Sequence, residues 1–510
     1  GISNNKRNFK KKKESAFTMR KQTKLVAVLS AASLLAIGAS MTAFADTPHW
    51  DQEDGSWVYL DRNGDKVTDE WRKSNNQWYY LDSDGYMAVD QLVESGDNLY
   101  YVDANGVRVS NAWVSMDNDD LLDDDDVSTV WYYFDSNGRA VGYNDDEGDI
   151  ARVNYGDGAS GYFIFNGDGI MLSGWQEWDD NLYYLGDENE GWARTGWQYL
   201  DTDDELFDGG DDEGEPYESE EWFYFRSNGK ARRNSTTQIG GRWYAFDSNG
   251  IMLDLWVYPD ASGSYMNSDG SSSVASAAYY QEDNGGRERN WIFAYANTDY
   301  DDYDDDMYWF YLNSNGRPER AEAGDGSGVD ITDDGETYSA LKARSIRNKT
   351  YIFDEAGRMR SGLFELTDVM RGSTALNGIY YFQEDGDHGS TEGQMVTNRR
   401  TTIEVDGEDE TYYFKKNGQA YVNTIVSSSI YGDDGALVTE YGDGSTYQIV
   451  TLWADVYTTK SQSAEDMIPA GSQVLINGNG KIKRSGTVTD MDSQRVHVTN
   501  YVVDRIEEDE

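Results

Sequence analysis

Four-residue apolar blocks, rich in aromatic rings, alternate with short polar blocks that end in glycine along most of the chain. Copies read Trp57-Val-Tyr-Leu-Asp-Arg-Asn-Gly64, Trp78-Tyr-Tyr-Leu-Asp-Ser-Asp-Gly85, Leu99-Tyr-Tyr-Val-Asp-Ala-Asn-Gly106, Trp131-Tyr-Tyr-Phe-Asp-Ser-Asn-Gly138, Trp222-Phe-Tyr-Phe-Arg-Ser-Asn-Gly229, Trp243-Tyr-Ala-Phe-Asp-Ser-Asn-Gly250 and Trp309-Phe-Tyr-Leu-Asn-Ser-Asn-Gly316, with weaker copies ending at Gly169, Gly357, Gly386 and Gly418. In each copy the β-favouring residues predict a strand with positions one and three on one face and two and four on the other. The Asp/Asn-rich step to glycine predicts a tight turn of the kind that joins hairpin strands. Glycines 64, 85 and 106 are 21 residues apart, as are 229 and 250. That period predicts stacked supersecondary units, each burying its apolar face on its neighbours. A lone hairpin is marginal in water, so stacking is obligatory.

A second apolar element follows several of these glycines: Val67 to Trp71, Val107 to Trp113, Ile170 to Trp175, Trp192 to Trp197, Ile251 to Trp256 and, degenerate, Met359 to Leu363. Each full unit therefore carries two aromatic anchors, one leading into the unit and one starting its strand. The expected fold class is all-β: a solenoid of stacked β-hairpin repeats over residues 46–423, with acidic loop insertions and a β-rich C-terminal cap at 424–510 that could be diverged repeats. The acidic runs Asp117 to Asp126, Asp201 to Glu221, Asp299 to Asp306, Gly324 to Glu336 and Glu404 to Glu410 stretch the glycine spacing and are expected as loops between hairpins. A degenerate copy is expected around Trp291-Ile-Phe-Ala-Tyr295.

Composition narrows the chemistry. The chain has no cysteine and three histidines, which leaves no thiolate nucleophile or disulfide and few imidazoles for zinc sites or triads. With 94 acidic against 43 basic residues the net charge is −51, a field that repels nucleic acid and favours cations. The acidic runs could hold calcium, but none matches a calcium-loop pattern, so no metal and no cofactor is expected. Chance pairs among so many carboxylates do not make a glycosidase, which needs two environments that drive pKa values apart; a non-catalytic protein is expected.

The first 45 residues hold nine basic residues in the opening 24, an apolar run from Leu25 to Gly38, and Ala43-Phe-Ala45. That order predicts a secretory signal cut before Asp46, too short in its apolar run to anchor in a bilayer. Met19 stands at an ordinary signal start, so residues 1–18 could lie upstream of the translated sequence. No later segment predicts a membrane span. A sorting-type wall anchor is not expected either.

On its repeated Trp-Tyr-Tyr-Leu strands, Gly turns and Gly-Trp steps, the chain resembles the choline-binding and glucan-binding repeat families of Gram-positive surface proteins over about residues 50 to 423. The resemblance implies ligand sites between consecutive units, walled by the leading aromatic, the strand Trp and a strand Tyr of the next unit. A quaternary ammonium is held there by cation–π attraction, and sugar rings by stacking. Taking the third strand position as the wall from the next unit, Trp71, Trp78 and Tyr101 form the one complete triad. Trp113 with Trp131 meets Ile164, and Trp197 with Trp222 meets Ala245, whereas Trp175, Trp243 and Trp256 are partial walls. Second-position tyrosines such as Tyr79, Tyr100 and Tyr132 are expected as packing only. The resemblance implies a secreted, non-catalytic protein attached to a choline-substituted teichoic acid or other wall polysaccharide. The alternative is a structural or adhesive scaffold whose acidic loops contact proteins or calcium.

Overall fold

The computed structural model describes residues 47–507 apart from 119–120, 122–126, 145–146, 157, 203, 208–216, 260–264, 268–276, 296–306, 333–334, 385–390 and 442. The expected signal segment and cleavage site lie outside the described residues. What is described is all-β, built from stacked hairpins; the helical content among the described residues is two 3-10 turns, Glu205–Phe207 and Ala464–Asp466. No helix there is long and apolar enough to cross a membrane. Contacts divide the chain into two compact units, Gly1–Leu253 with Ala261–Met266, and Asp254–Asp260 with Asn267–Glu510.

One repeat shows how the sequence builds the unit. Glu70–Ser74 pairs antiparallel with Gln77–Leu81 in the register Trp71↔Tyr80 and Lys73↔Trp78. Asn75 and Asn76 make the two-residue connection, both left-handed at φ 50° and 65°, a conformation asparagine tolerates and a two-residue hairpin turn requires. The Asp82-to-Gly85 turn expected to join strands instead ends the hairpin. Gly85 N donates to Asp82 O at 3.0 Å, and the Asp82 carboxylate accepts from Asp84 N and Tyr86 N. Asp61, Asp103, Asp135 and Asn166 organise equivalent turns.

Beyond the turn the chain runs back across two hairpins at once. Met87 N donates to Trp57 O in the preceding hairpin and Ala88 N to Tyr80 O in its own; one period later Arg108 N reaches Trp78 O and Val109 N reaches Tyr101 O. These short crossing segments bolt each hairpin to the last. Equivalent bonds run from Met171 to Trp131, Ala193 to Tyr162 and Ala231 to Leu182 in the first unit, and from Met395 to Thr350, Ala420 to Ile379 and Ile482 to Ser428 in the second. The cross-hairpin pattern thus extends into the C-terminal segment, where the aromatic phrase itself has faded.

Four of the five acidic runs fall at a different place from the one expected. Ala112–Asp117 pairs with Thr129–Phe134, Gly196–Asp201 with Glu220–Phe225, Asn290–Tyr295 with Met307–Leu312 and Arg400–Val405 with Glu408–Tyr413, so each of these runs is flanked by the two strands of one hairpin; much of 117–126 and 201–221 and all of 299–306 lie outside the described residues. At these hairpins the crossing segments are pinned by backbone bonds, so the extra residues enter at the free tips; the fifth run, 324–336, does lie between hairpins but is no simple loop, since Ser327–Asp330 is a strand of a larger sheet. Trp291 likewise leads a hairpin rather than forming the degenerate copy. The strand hidden in the long gap is Ala278–Tyr280, closed by a turn at Gln281–Gly285.

The second unit also holds a seven-stranded sheet, with Thr337–Tyr338, Ser327–Asp330, Gly362–Arg371, Lys342–Ile346, Lys349–Phe353 and Met359–Arg360 in order and Thr374–Phe382 paired to Gly362–Arg371. Its core is Leu341, Ile352, Phe364 and Phe382, all fully buried.

Candidate functional site

The register fixes which rings can meet at a seam. Trp71 sits opposite Tyr80, and Trp78 is two residues from Tyr80, so all three share one face of their hairpin. In a stack the next hairpin must turn its other face toward them, and that face carries the second strand position. Trp71 accordingly lies 5.0 Å from Tyr100, ring centroid to centroid, at 64°. Tyr101 points into the following seam, stacks on Phe134 at 6.2 Å and donates to Asp90. Burial and that carboxylate together hold its phenol well above the usual range. The expected triad Trp71, Trp78 and Tyr101 is therefore corrected to Trp71, Trp78 and Tyr100, and Tyr100 is a wall rather than packing.

The same parity completes seams that the third-position rule left open. Trp197 and Trp222 meet Tyr244, not Ala245, which is fully buried on the opposite face. The indoles are 6.3 Å apart at 80°, and Tyr244 is 4.8 Å from Trp197 at 67°. In the second unit Trp291 and Trp309 are 6.3 Å apart at 85°, with Tyr351 4.8 Å from Trp291 at 62°. Met359 packs with this group, and Glu392 accepts from Trp309 Nε1 at 3.0 Å. Neither Trp291 nor Tyr351 was a candidate from sequence, because the acidic insertion hides the Trp and Thr350 replaces the aromatic that opens the strand phrase. Trp50 and Tyr79, 5.5 Å apart, begin a further seam whose first hairpin also carries Trp57. Tyr79 is thus a wall as well, whereas Tyr132 packs on Phe134 as expected.

Other candidates are filled or buried. Trp113 and Trp131 meet Phe163 in place of the expected Ile164, at a distance of 4.8 Å from Trp113, but both indoles are almost fully covered and Met171 lies buried among them. Asn154 O and Asn189 Oδ1 take their indole N–H groups. Trp175 packs on Tyr184, Phe207 and Phe223 and donates to Asp201 O; Leu182 stands where a second indole would be needed. Trp256 is 1% exposed, donates to Tyr295 O, and faces Tyr279 and Phe310 with Ala277 in the strand position of Trp78. Trp243, 38% exposed, shares the strand face of Ala245, opposite Tyr244 and the Trp197 seam. Trp175 and Trp256 are core residues, not partial walls.

Three rings at near-perpendicular settings present π faces to a common point. Such a group attracts a cation that has no hydrogen to donate, by ~0.5–2 kcal/mol per ring according to desolvation. No cluster of three or more metal-ligating side chains occurs among the described residues.

The family model described as a choline-binding repeat matches residues 67–113, and that described as a putative cell wall binding repeat matches 127–140 and 217–231. No curated protein sequence matches the chain. Among solved structures from Streptococcus pneumoniae, CbpJ is 19% identical over 77% of this chain and 100% of its own, with a TM-score of 0.26. The choline-binding domain of CbpL is 24% identical over 43% and 96%, with a TM-score of 0.28. The choline binding domain of Spr1274 is 32% identical over 18% and 92%, with a TM-score of 0.14. The matched repeats coincide with the hairpins that hold Trp71, Trp78, Trp113, Trp131 and Trp222, and on them the chain belongs to the choline-binding, cell-wall-binding repeat family.

Proposed function

We propose that this is a secreted, non-catalytic protein held noncovalently on a Gram-positive cell wall by choline groups of a wall polymer, bound at the Trp197/Trp222/Tyr244 and Trp291/Trp309/Tyr351 seams. The observation that carries this reading is the recurrence of one three-ring geometry in both units: 6.3 Å between the indoles and 4.8 Å to the tyrosine, with all four indoles half-buried. A structural core has no reason to keep two indoles open at corresponding seams. Three rings supply roughly 1.5–6 kcal/mol, a single-site affinity no tighter than about tens of micromolar. Attachment to a wall then comes from several sites engaging one polymer, where the second contact forms at high effective concentration. The non-catalytic part of this reading is supported by the hairpin array, which occupies most of the described chain.

The test is retention on purified choline-bearing walls. Free choline should elute the intact protein, soluble glucan and EDTA should not, and a chain with Trp222→Ala and Trp309→Ala should wash off in buffer. Retention of that variant, or release by EDTA alone, would instead favour a scaffold held through its acidic loops.

A further inference from the structure

The seam whose rings are most complete by sequence already holds a cation. Arg108 leaves the turn at Gly106, is pinned by its N–H to Trp78 O at 2.9 Å, and extends its side chain over the rings. Its guanidinium carbon lies 5.6 Å from the Trp71 ring, 5.5 Å from Trp78 and 5.6 Å from Tyr100. Equal distance from three π faces is the position a quaternary ammonium would take, and all three lie within cation–π range. Among the described residues no carboxylate pairs with this guanidinium, so the rings are its principal partners. Burial accordingly pulls its pKa below the ordinary arginine range, against a weaker pull upward from Tyr100 and Asp135. Lys73 adds a second positive charge 5.7 Å from the Trp78 ring.

Two further observations mark the arrangement as built. The side chain runs beneath Gly138, where an added Cβ would stand 2.7 Å from Arg108 Nε. And where the crossing meets another seam with two tryptophans, the residue two places after the turn glycine is methionine: Met87 N bonds Trp57 O, Met171 N bonds Trp131 O, and Met359 packs in the Trp291/Trp309 group; at crossings onto other strands it is alanine, as at Ala193 and Ala231. At the half-buried Trp291/Trp309 seam methionine supplies an uncharged wall beside the rings, whereas at Trp113/Trp131 Met171 is itself buried among them. Arginine supplies both the wall and the cation.

We propose that Arg108 is an internal ligand that closes the Trp71/Trp78/Tyr100 seam to choline. The inference rests on the reading of the aromatic seams as quaternary-ammonium sites. A tethered guanidinium is present at the rings at an effective concentration that a weakly bound free ligand cannot match, and the like charge of Lys73 opposes any second cation.

Choline bound per chain, measured by equilibrium dialysis or calorimetry on the full-length protein, decides it. Trp78→Ala in the otherwise unchanged protein should leave the number of bound cholines unaltered. Arg108→Met and Arg108→Ala should each raise it by one, and adding Trp78→Ala to either should restore the starting number. A site lost in Trp78→Ala alone, or no site gained in both Arg108 variants with near-ultraviolet dichroism intact, would overturn the proposal. Should the Arg108 variants fail to fold, the Trp78→Ala arm alone remains decisive. The outcomes separate from those of the wider function: an intact protein that binds no choline while Arg108→Ala binds one would refute the Trp222 and Trp309 sites and support the role of Arg108.

Discussion

At the level of single residues, the seams turn on strand parity. The strand phrase identifies the rings, but which ring crosses to the neighbour depends on which face the neighbour presents, and one step along a strand reverses that face. Tyr100 and Tyr244 were therefore legible as aromatic strand residues and misassigned as packing, while Tyr101 and Ala245 were given their place. The rule that each hairpin uses opposite faces toward its two neighbours would have recovered both. Burial was not legible at all, because neither the element that ends in Trp256 nor the phrase that opens with Trp243 marks which indole is covered. The first is sealed by Phe310 and Tyr279 and the second is 38% exposed. Trp256→Ala should accordingly cost about 3–5 kcal/mol through the cavity it leaves, whereas Trp243→Ala should cost less than about 1 kcal/mol. Urea unfolding followed by far-ultraviolet dichroism will rank them, and equal midpoints would contradict the assignment of Trp256 to the core.

At the level of the element, the repeat is a hairpin plus a crossing segment, and the two parts tolerate change differently. The strand and turn chemistry was readable because β-favouring rings and Asp-x-x-Gly steps are local signals. The crossing bonds were not, since a backbone N–H leaves no mark on sequence, and the acidic runs were consequently placed between hairpins instead of at their tips. Two glycines expose the difference. Gly96 sits at a hairpin tip with φ +60° and nothing within 4 Å of an added Cβ, so Gly96→Ala bears only the left-handed backbone penalty of about 1–2 kcal/mol. Gly148, with φ +79°, leads into the hairpin of Asp149–Gly156 and Ala159–Phe165, where a Cβ would fall 2.0 Å from Phe165 O. Gly148→Ala should lose clearly more stability than Gly96→Ala, and a thermal melt in which the two coincide would show that the strands part easily at that point.

At the level of the whole chain, charge and valency act against each other. A net charge of −51 repels an anionic wall polymer through its long-range field, while the attraction resides in contacts a few ångströms deep at separate seams. Salt screens exposed charges across a Debye length of about 10 Å at 0.1 M and about 3 Å at 1 M, but acts far less on a cation already enclosed by rings. Raising ionic strength should thus remove the repulsion and leave the attraction, so retention on choline-bearing walls should strengthen, or at least persist, between 0.05 and 0.5 M salt in these regimes. A protein held by ion pairs would show the opposite trend, as would one whose acidic loops were bridged to the wall by calcium. Measuring the free choline concentration needed for half-elution at each salt concentration tests this directly. A fall in that concentration with rising salt would mean that charge pairing, not the aromatic seams, carries the attachment.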